Sequence, residues 1–345
     1  MRIAAVHHVV PTERITNAWI KERIRADSAG AMDATELAAA ERLLDASFES
    51  AGTSIRYRLN GTESALHLVA EAGRNALREA EVVSEDVEFL IYAGVGRGWI
   101  EPATAPIVQA ELGLRPQACF DILDACASWI RALHVAHTFI RSGTYRCGLI
   151  VNAECGFRHY AALGLARPSD LDERFATCTI GEAATATVVI DDGSDHDWHF
   201  AFGTFGEHAD LCTIPLPAYD AFAPAGLTTD RPTLRFHSRS RELMSVTTRK
   251  IVEVFRGDPI LSHRTYDVCF GHSASEKAVR IIAKQIQQPY EIYYSTHPDY
   301  GNTVSAAVPL GMSLASRDGR LRRGSRVLII VGASGISVGI ASLTF

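Results

Sequence analysis

Three residues in this 345-residue chain have the types and settings for covalent acyl chemistry: Cys126, His272 and Asn302. Cys126 lies in DILDACASWIRALHVAHTFIRSG, where a short apolar run gives way to a segment carrying Ile130, Leu133, Ala136 and Ile140 on one helical face. A cysteine that opens a helix after a tight turn is aimed outward, and the unpaired first-turn amides favour its thiolate. Small neighbours, Ala125, Ala127 and Ser128, leave room for a thioester to approach the backbone. The chemistry this points to is nucleophilic catalysis through an acyl-cysteine. His272 ends the strand-like run VCFGHSAS, at the carboxyl edge where open α/β sheets place their ligands. Asn302 lies in PDYGNTVSAAVPLG, in a turn before a helix of small residues. Taken singly, a histidine is more often structural and an asparagine beside glycine more often a turn residue. Three such residues at three element ends form a rarer constellation. Cys, His and Asn also serve papain-like hydrolases, but the strand-to-helix setting of Cys126 and the parallel-sheet pattern do not suit that family.

Other signals carry less. The seven cysteines are odd in number and contain no CxxC, which speaks against a disulfide framework or a zinc cage. His134 and His137 stand three apart on one helix, and Asp195-His196-Asp197-Trp198-His199 has metal-like composition. Neither has a matched second ligand set, so solvated surface is the reading and no metal is expected. Gly94-Val95-Gly96-Arg97-Gly98 follows a strand but lacks the spacing of a dinucleotide fingerprint, and it reads as a turn beside the site.

These residues need a scaffold. Short β-branched runs (Val87–Ala93, Cys119–Leu123, Gly148–Asn152, Ala184–Ile190, Asp267–Gly271, Val327–Val331 and Ser337–Thr344) alternate with amphipathic segments. The latter are Ser64–Glu79, Ala127–Ser142, Arg239–Phe255, Ser275–Gln287 and Ser305–Arg317. The alternation predicts an α/β protein with a buried, largely parallel sheet. FLIYAG, the Cys126 helix and RSGTYRCGLIVNAE in the first half parallel YDVCFGH, the Asn302 helix and RRGSRVLIIVGAS in the second, so a duplicated βα unit is expected. The seam falls in Asp191-Asp192-Gly193-Ser194-Asp195, giving halves 1–195 and 196–345.

The chain carries 40 acidic and 34 basic residues, a formal charge of −6, with its basic residues scattered. No electrostatic footprint for nucleic acid or an anionic membrane is present. The start, MRIAAVHHVVPTER, lacks a signal-peptide core, and Val327–Ala341 is broken by glycine and serine into strand-turn-strand. A cytoplasmic enzyme is expected.

DACASWIRALHVAHTFIRSG, GHSASEKAVRI and YGNTVSAAVPLGMSLASRDGRLRRGSRVLIIVGASG resemble, in order, three signature regions of the β-ketoacyl-acyl-carrier-protein synthase III family. The resemblance implies a thiolase-like duplicated βα fold in five layers, α-β-α-β-α. It implies Cys126 as acyl-accepting nucleophile, His272 and Asn302 as its polar partners, and the N–H groups of Cys126 and Gly335 as oxyanion hole. A weaker match, TNAWIKER, places Trp19 and Arg23 at the coenzyme A or phosphopantetheine entrance, with Arg158 and Lys277 nearby. No cofactor is implied; thioesters of coenzyme A or an acyl carrier protein are the substrates, and the assembly implied is a homodimer with Trp99–Pro102 near the partner's tunnel. The implied reaction is decarboxylative Claisen condensation. Cys126 is acylated, and His272 Nε2 and the Asn302 amide then stabilise the enolate formed from a malonyl-type thioester. An O- or N-acyltransferase using the same acyl-cysteine, or a non-catalytic partner subunit, are the alternatives.

The family's usual His-Gln-Ala-Asn reads His272-Ser273-Ala274-Ser275 here, and Lys277 replaces a typical Arg. The segment between Arg23 and Gly52 has no counterpart in the short housekeeping enzymes. It reads as an extra helix centred on Ala34–Leu44 near the tunnel mouth. These departures point to a specialised-metabolism member.

Overall fold

CGLIVNAE and AATATVVI are dominated by small and apolar residues, and they form adjacent, buried strands of one sheet, β6 (Cys147–Glu154) and β7 (Ala183–Ile190). The computed structural model describes every residue except 195–196, 224–230 and 273. Before these strands come β1 (Arg2–Val9), β2 (Glu13–Thr16), α1 (Asn17–Asp27), α2 (Ala34–Ala51), β3 (Ile55–Arg58), α3 (Ala65–Glu79), β4 (Phe89–Ala93), α4 (Thr104–Leu112), β5 (Ala118–Ile122) and α5 (Ser128–Arg141). Helix α6 (Leu171–Thr179) lies between β6 and β7. The second half holds β8 (His199–Thr204), β9 (Cys212–Thr213), β10 (His237–Ser238), α7 (Ser240–Gly257), α8 (Pro259–His263) and β11 (Val268–Gly271). It continues through α9 (Glu276–Gln285), α10 (His297–Tyr300), α11 (Ala307–Arg317), β12 (Arg326–Ala333) and β13 (Ser337–Thr344).

The expected duplication is written in the strand pairing. The first sheet runs β1-β7-β6-β4-β5 and the second β8-β13-β12-β11. In both halves the third and fourth strands are parallel, and each remaining junction towards β1 or β8 is antiparallel. Strand β5, parallel to β4, is matched in the second half by a single parallel bridge from Cys269 to Tyr293. The expectation of largely parallel sheets is therefore corrected: both are mixed. The reason is local, because β12 and β13 are joined by the short 334–336 turn, and a connection that short can only reverse the chain.

Three apolar clusters stack the layers. Trp129, Ile130 and Leu133 of α5 and Val308 and Met312 of α11 fill the space between the two sheets with Ile91, Ile150, Phe270 and Ile329. Leu68, Val69 and Ala72 of α3 and Val108 of α4 cover the outer face of the first sheet. Val246, Ile251 and Phe255 of α7 and Ile282 of α9 cover that of the second. The order is α-β-α-β-α, as expected, and the central layer holds the two helices that follow Cys126 and Asn302. The proposed seam at 195/196 lies outside the described residues.

His134 and His137 pack against aromatic rings and are half-buried, not the solvated surface expected of them. His137 stacks on Trp198 with ring centroids 5.6 Å apart, and His134 packs on Phe200 at 4.9 Å. Of the second motif, Asp195 and His196 lie outside the described residues, while Asp197 pairs with Arg264 and His199 with Asp258 at 2.7 Å. Among the described residues no group of three potential ligands converges, and no helix is long and apolar enough to cross a membrane.

Candidate active site

The turn between β5 and α5 is held by its own short residues. Ala127 N–H donates to the Asp124 carbonyl at 2.8 Å and Ser128 N–H to that of Ala125 at 3.1 Å. The Ser128 hydroxyl donates back to the Ala125 carbonyl at 2.7 Å and accepts from Asp124 N–H at 2.8 Å. Arg131 pins the Asp124 carboxylate from the first turn of the helix, at 2.9 Å. Ala125 takes a left-handed φ of +45°, a conformation that non-glycine residues adopt at some cost and keep where surrounding structure enforces it. The helix itself starts at Ser128, one residue after the start of the amphipathic segment in the sequence. Burial and the nearby acids Cys212 and Glu154 push the Cys126 thiol well above its usual range, and its own amide pulls the other way. The helix start therefore does not leave a free thiolate at rest. Cys126 waits protonated.

Asn302 is set by a backbone crossing. Its N–H donates to the Thr179 carbonyl at 2.8 Å and its carbonyl accepts from Gly181 N–H at 3.0 Å. The crossing is so close that a Cβ on Gly181 would stand 2.0 Å from the Tyr300 carbonyl, and one on Gly301, at φ +67°, 2.3 Å from that of Thr179. Beyond the crossing, Asn302 Oδ1 accepts from Val304 N–H at 2.9 Å. That bond orients the amide: the oxygen is committed to the backbone, and the NH2 group is left to donate elsewhere.

His272 follows the last residue of β11, with its N–H on the Ile330 carbonyl at 3.1 Å. Burial lowers its pKa to about 4, with the Val304 backbone opposing, so the ring is neutral around pH 7. Its Nδ1 is buried without a hydrogen bond.

Cys126, His272 and Asn302 line one cavity of about 1330 Å3 together with Gly332, Ala333 and Ser334 of the Gly-rich segment. Close to Cys126 the wall is apolar, built from Phe157, Phe236 and Val304 with Val95, Ile180, Cys212 and Ile214. Further out it is formed by Leu43, Ser47 and Ser50 of α2, Arg241, Arg249 and Arg256 of α7, and Lys277 of α9. The extra helix does line the cavity: α2 spans Ala34–Ala51, opened by a capping box of Asp33 with Glu36, and the Ser275 hydroxyl at the start of α9 donates to the Ser50 carbonyl at 3.1 Å.

Not every expected entrance residue is there. Lys277 lines the cavity, whereas Trp19, Arg23 and Arg158 do not. The Trp19 ring lies beneath the Arg58 guanidinium, 4.2 Å from ring centroid to carbon, and Arg23 is paired with Asp27 one turn along α1. Arg158 donates to the Leu59 carbonyl. The wall on this side is supplied by α2, through Leu43, Ala46, Ser47, Ser50 and Ala51. Gly335 follows the lining residue Ser334 with φ +124°, a conformation suited to glycine.

A buried acid missed by sequence reasoning ties the site together. Glu154, 1% exposed at the end of β6, accepts from Val95 N–H at 3.0 Å, Gly96 N–H at 2.8 Å and the Ser305 hydroxyl. It thus joins the Gly94–Gly98 turn to the segment carrying Asn302. A charged residue closing an otherwise apolar run was the available signal. Burial raises its pKa and the hydrogen bonds oppose that. Glu154→Ala strands the Val95 and Gly96 N–H groups at about 1–3 kcal/mol each, while the Ser305 hydroxyl can turn to the Ala93 carbonyl at 3.1 Å, so a stability loss of at least about 2 kcal/mol is expected. Urea unfolding checks it through a lower midpoint at unchanged slope; a loss below about 1 kcal/mol would contradict this role.

Comparison with known proteins agrees with this geometry. Residues 120–206 match the family model described as 3-oxoacyl-[acyl-carrier-protein (ACP)] synthase III, and residues 261–345 match its C-terminal model. The β-ketoacyl-[acyl-carrier-protein] synthase III of Bordetella petrii is 30% identical over 270 residues, 76% of each chain. This chain belongs to that family. The Methylococcus capsulatus synthase III is 28% identical over 298 residues, 86% of this chain and 89% of its own. The synthase III structure from Aquifex aeolicus superposes with a TM-score of 0.81 at 22% identity, covering 100% of this chain and 99% of that one. OleA of Xanthomonas campestris superposes with a TM-score of 0.82 at 20% identity, covering 99% and 98%. Both share the thiolase-like fold. The protein is a synthase III-like condensing enzyme.

Proposed function

We propose that Cys126 accepts an acyl group from a coenzyme A or carrier-protein thioester, and that the acyl-enzyme condenses with a malonyl-type thioester to a β-ketoacyl product. The Cys126 sulfur attacks the thioester carbonyl, its proton leaving with the released carrier thiol, while the Cys126 and Gly335 amides face the oxyanion. The malonyl carboxylate departs as carbon dioxide. His272 and the Asn302 NH2 donate to the enolate oxygen, and the enolate carbon attacks acyl-Cys126 to regenerate the thiolate. The observation that carries this reading is the committed Asn302 oxygen, which leaves a neutral donor facing the cavity beside a neutral histidine. Neither opposes developing negative charge. Acyl transfer to a hydroxyl or amine would want an imidazole oriented by a carboxylate, and the group that hydrogen-bonds the His272 ring is the Val304 backbone instead. The test is product analysis by mass spectrometry with acyl thioesters and malonyl, hydroxyl or amine acceptors offered in parallel. β-Ketoacyl products support the reading; esters or amides alone overturn it.

Lys277 and the α7 arginines at the mouth suit the phosphates of either carrier. A homodimer belongs to the same proposal. Strand β5 is an edge strand, leading into the Cys126 turn, and Trp99 and Ile100 are 58% and 77% exposed. Light scattering at micromolar concentration is expected to give a dimer, and a stable monomer would contradict it.

A further inference from the structure

Of the seven free cysteines, two line the cavity: Cys126 and Cys212. The other five, Cys119, Cys147, Cys155, Cys178 and Cys269, lie outside its wall, so a small oxidant entering the cavity meets these two sulfurs. Cys212 opens β9, where it pairs with Ser238 of β10, and it packs with Cys126 into the same small apolar cluster around Phe157, Phe236 and Val304. Cys212 is also among the ionisable groups that act on the Cys126 thiol. The Cys212 thiol also hydrogen-bonds Ser238 and Ser334, which ties it to the residue preceding Gly335. It therefore shares the cavity wall and its apolar cluster with the nucleophile, tethered to the Gly-rich turn.

We infer that Cys126 and Cys212 form a dithiol pair that hydrogen peroxide converts to an intramolecular disulfide, closing the active site reversibly. In the first step the Cys126 thiolate attacks one peroxide oxygen. An S–O bond forms, the O–O bond breaks, and the other oxygen leaves as water after taking a proton, giving a sulfenic acid. In the second step the Cys212 sulfur attacks the Cys126 sulfur. The S–S bond forms, the S–O bond breaks, and a second water carries away the Cys212 proton. Two thiols and one peroxide thus give one disulfide and two waters. Burial holds both thiols protonated at rest, Cys212 being pushed up to about 12, so the reaction is slow until Cys126 ionises. Without a resolving partner, the Cys126 sulfenic acid has no fate except trapping by solvent thiols or irreversible oxidation to the sulfinic acid.

The test exposes the reduced full-length protein to hydrogen peroxide with no thioester present, blocks remaining thiols, and maps peptides by mass spectrometry. The expected result is loss of two hydrogen masses and a peptide pair linking Cys126 to Cys212, with activity restored by dithiothreitol. In Cys212→Ser and Cys212→Ala, Cys126 gains two oxygens instead, and recovery by dithiothreitol falls at least about tenfold relative to wild type. Wild-type Cys126 reaching the sulfinic acid as fast as in those variants, or linking only to another cysteine, would overturn the inference. The linked peptide is read without any turnover, so failure of the condensation reading would leave this measurement intact.

Discussion

Cys126→Ala is expected to abolish β-ketoacyl formation, by about 10⁴-fold or more, while leaving slow carbon dioxide release from a malonyl-type thioester. The two activities separate because different groups carry them. Acylation needs the sulfur, whereas enolate stabilisation needs the His272 ring and the Asn302 NH2, and neither is anchored through Cys126. Asn302 is fixed by Thr179, Gly181 and Val304, and His272 by the Ile330 carbonyl at the end of β11. Truncating Cys126 leaves the cavity lining otherwise in place. Quantifying β-ketoacyl product and released carbon dioxide in parallel checks this. A Cys126→Ala protein that still forms product at more than about a hundredth of the wild-type rate would remove Cys126 from the chemistry.

His272→Ala is expected to do the converse. Cys126 still acquires an acyl group, but decarboxylation falls by about 10²–10³-fold, the usual loss for one oxyanion donor. Asn302→Asp tests the second donor with little change of shape. The carboxylate can still accept from Val304 N–H, as the amide oxygen does at 2.9 Å, so the backbone turn is kept. What changes is the other arm, where a donor becomes an acceptor carrying like charge towards the forming enolate. Decarboxylation should fall at least as far as in His272→Ala, with acylation of Cys126 retained. Stopped assays of labelled carbon dioxide and of acyl-protein in each variant separate the steps. Equal loss of both in His272→Ala would place the histidine in acyl loading instead.

The parts legible in the sequence are those whose signal is local. The Cys126 turn is written in its small residues, and the β12–β13 hairpin in the glycine and serine that interrupt an apolar run. The extra helix showed itself by composition, and its capped form lines the cavity as expected. What escaped depends on tertiary placement. Strand β1 was missed because RIAAVHHV carries two adjacent histidines, yet His8 bonds Ser313 of α11 at 2.9 Å and burial lowers its pKa to about 4. The sheets were expected to be largely parallel because a run buried on both faces has the same composition in a mixed sheet. The short TNAWIKER motif does not show that Trp19 packs under Arg58 and Arg23 pairs with Asp27, while α2 lines the cavity. Cys212 carries no local signal, since LCTIP shows neither strand nor helix periodicity, and only tertiary packing brings it to the cavity wall.

Sequential loading of the wild-type enzyme tests the central claim most directly. The protein is first given an acyl thioester alone, and the peptide carrying Cys126 is analysed by mass spectrometry. Labelled malonyl thioester is then added, and carbon dioxide and the Cys126 adduct are followed together. The account predicts an acyl group on Cys126 that disappears as labelled carbon dioxide is released and a β-ketoacyl product forms. An acyl-Cys126 that persists with no carbon dioxide released from any malonyl-type thioester, yet is discharged by a hydroxyl or amine, would contradict condensation and make the enzyme an acyltransferase to that acceptor.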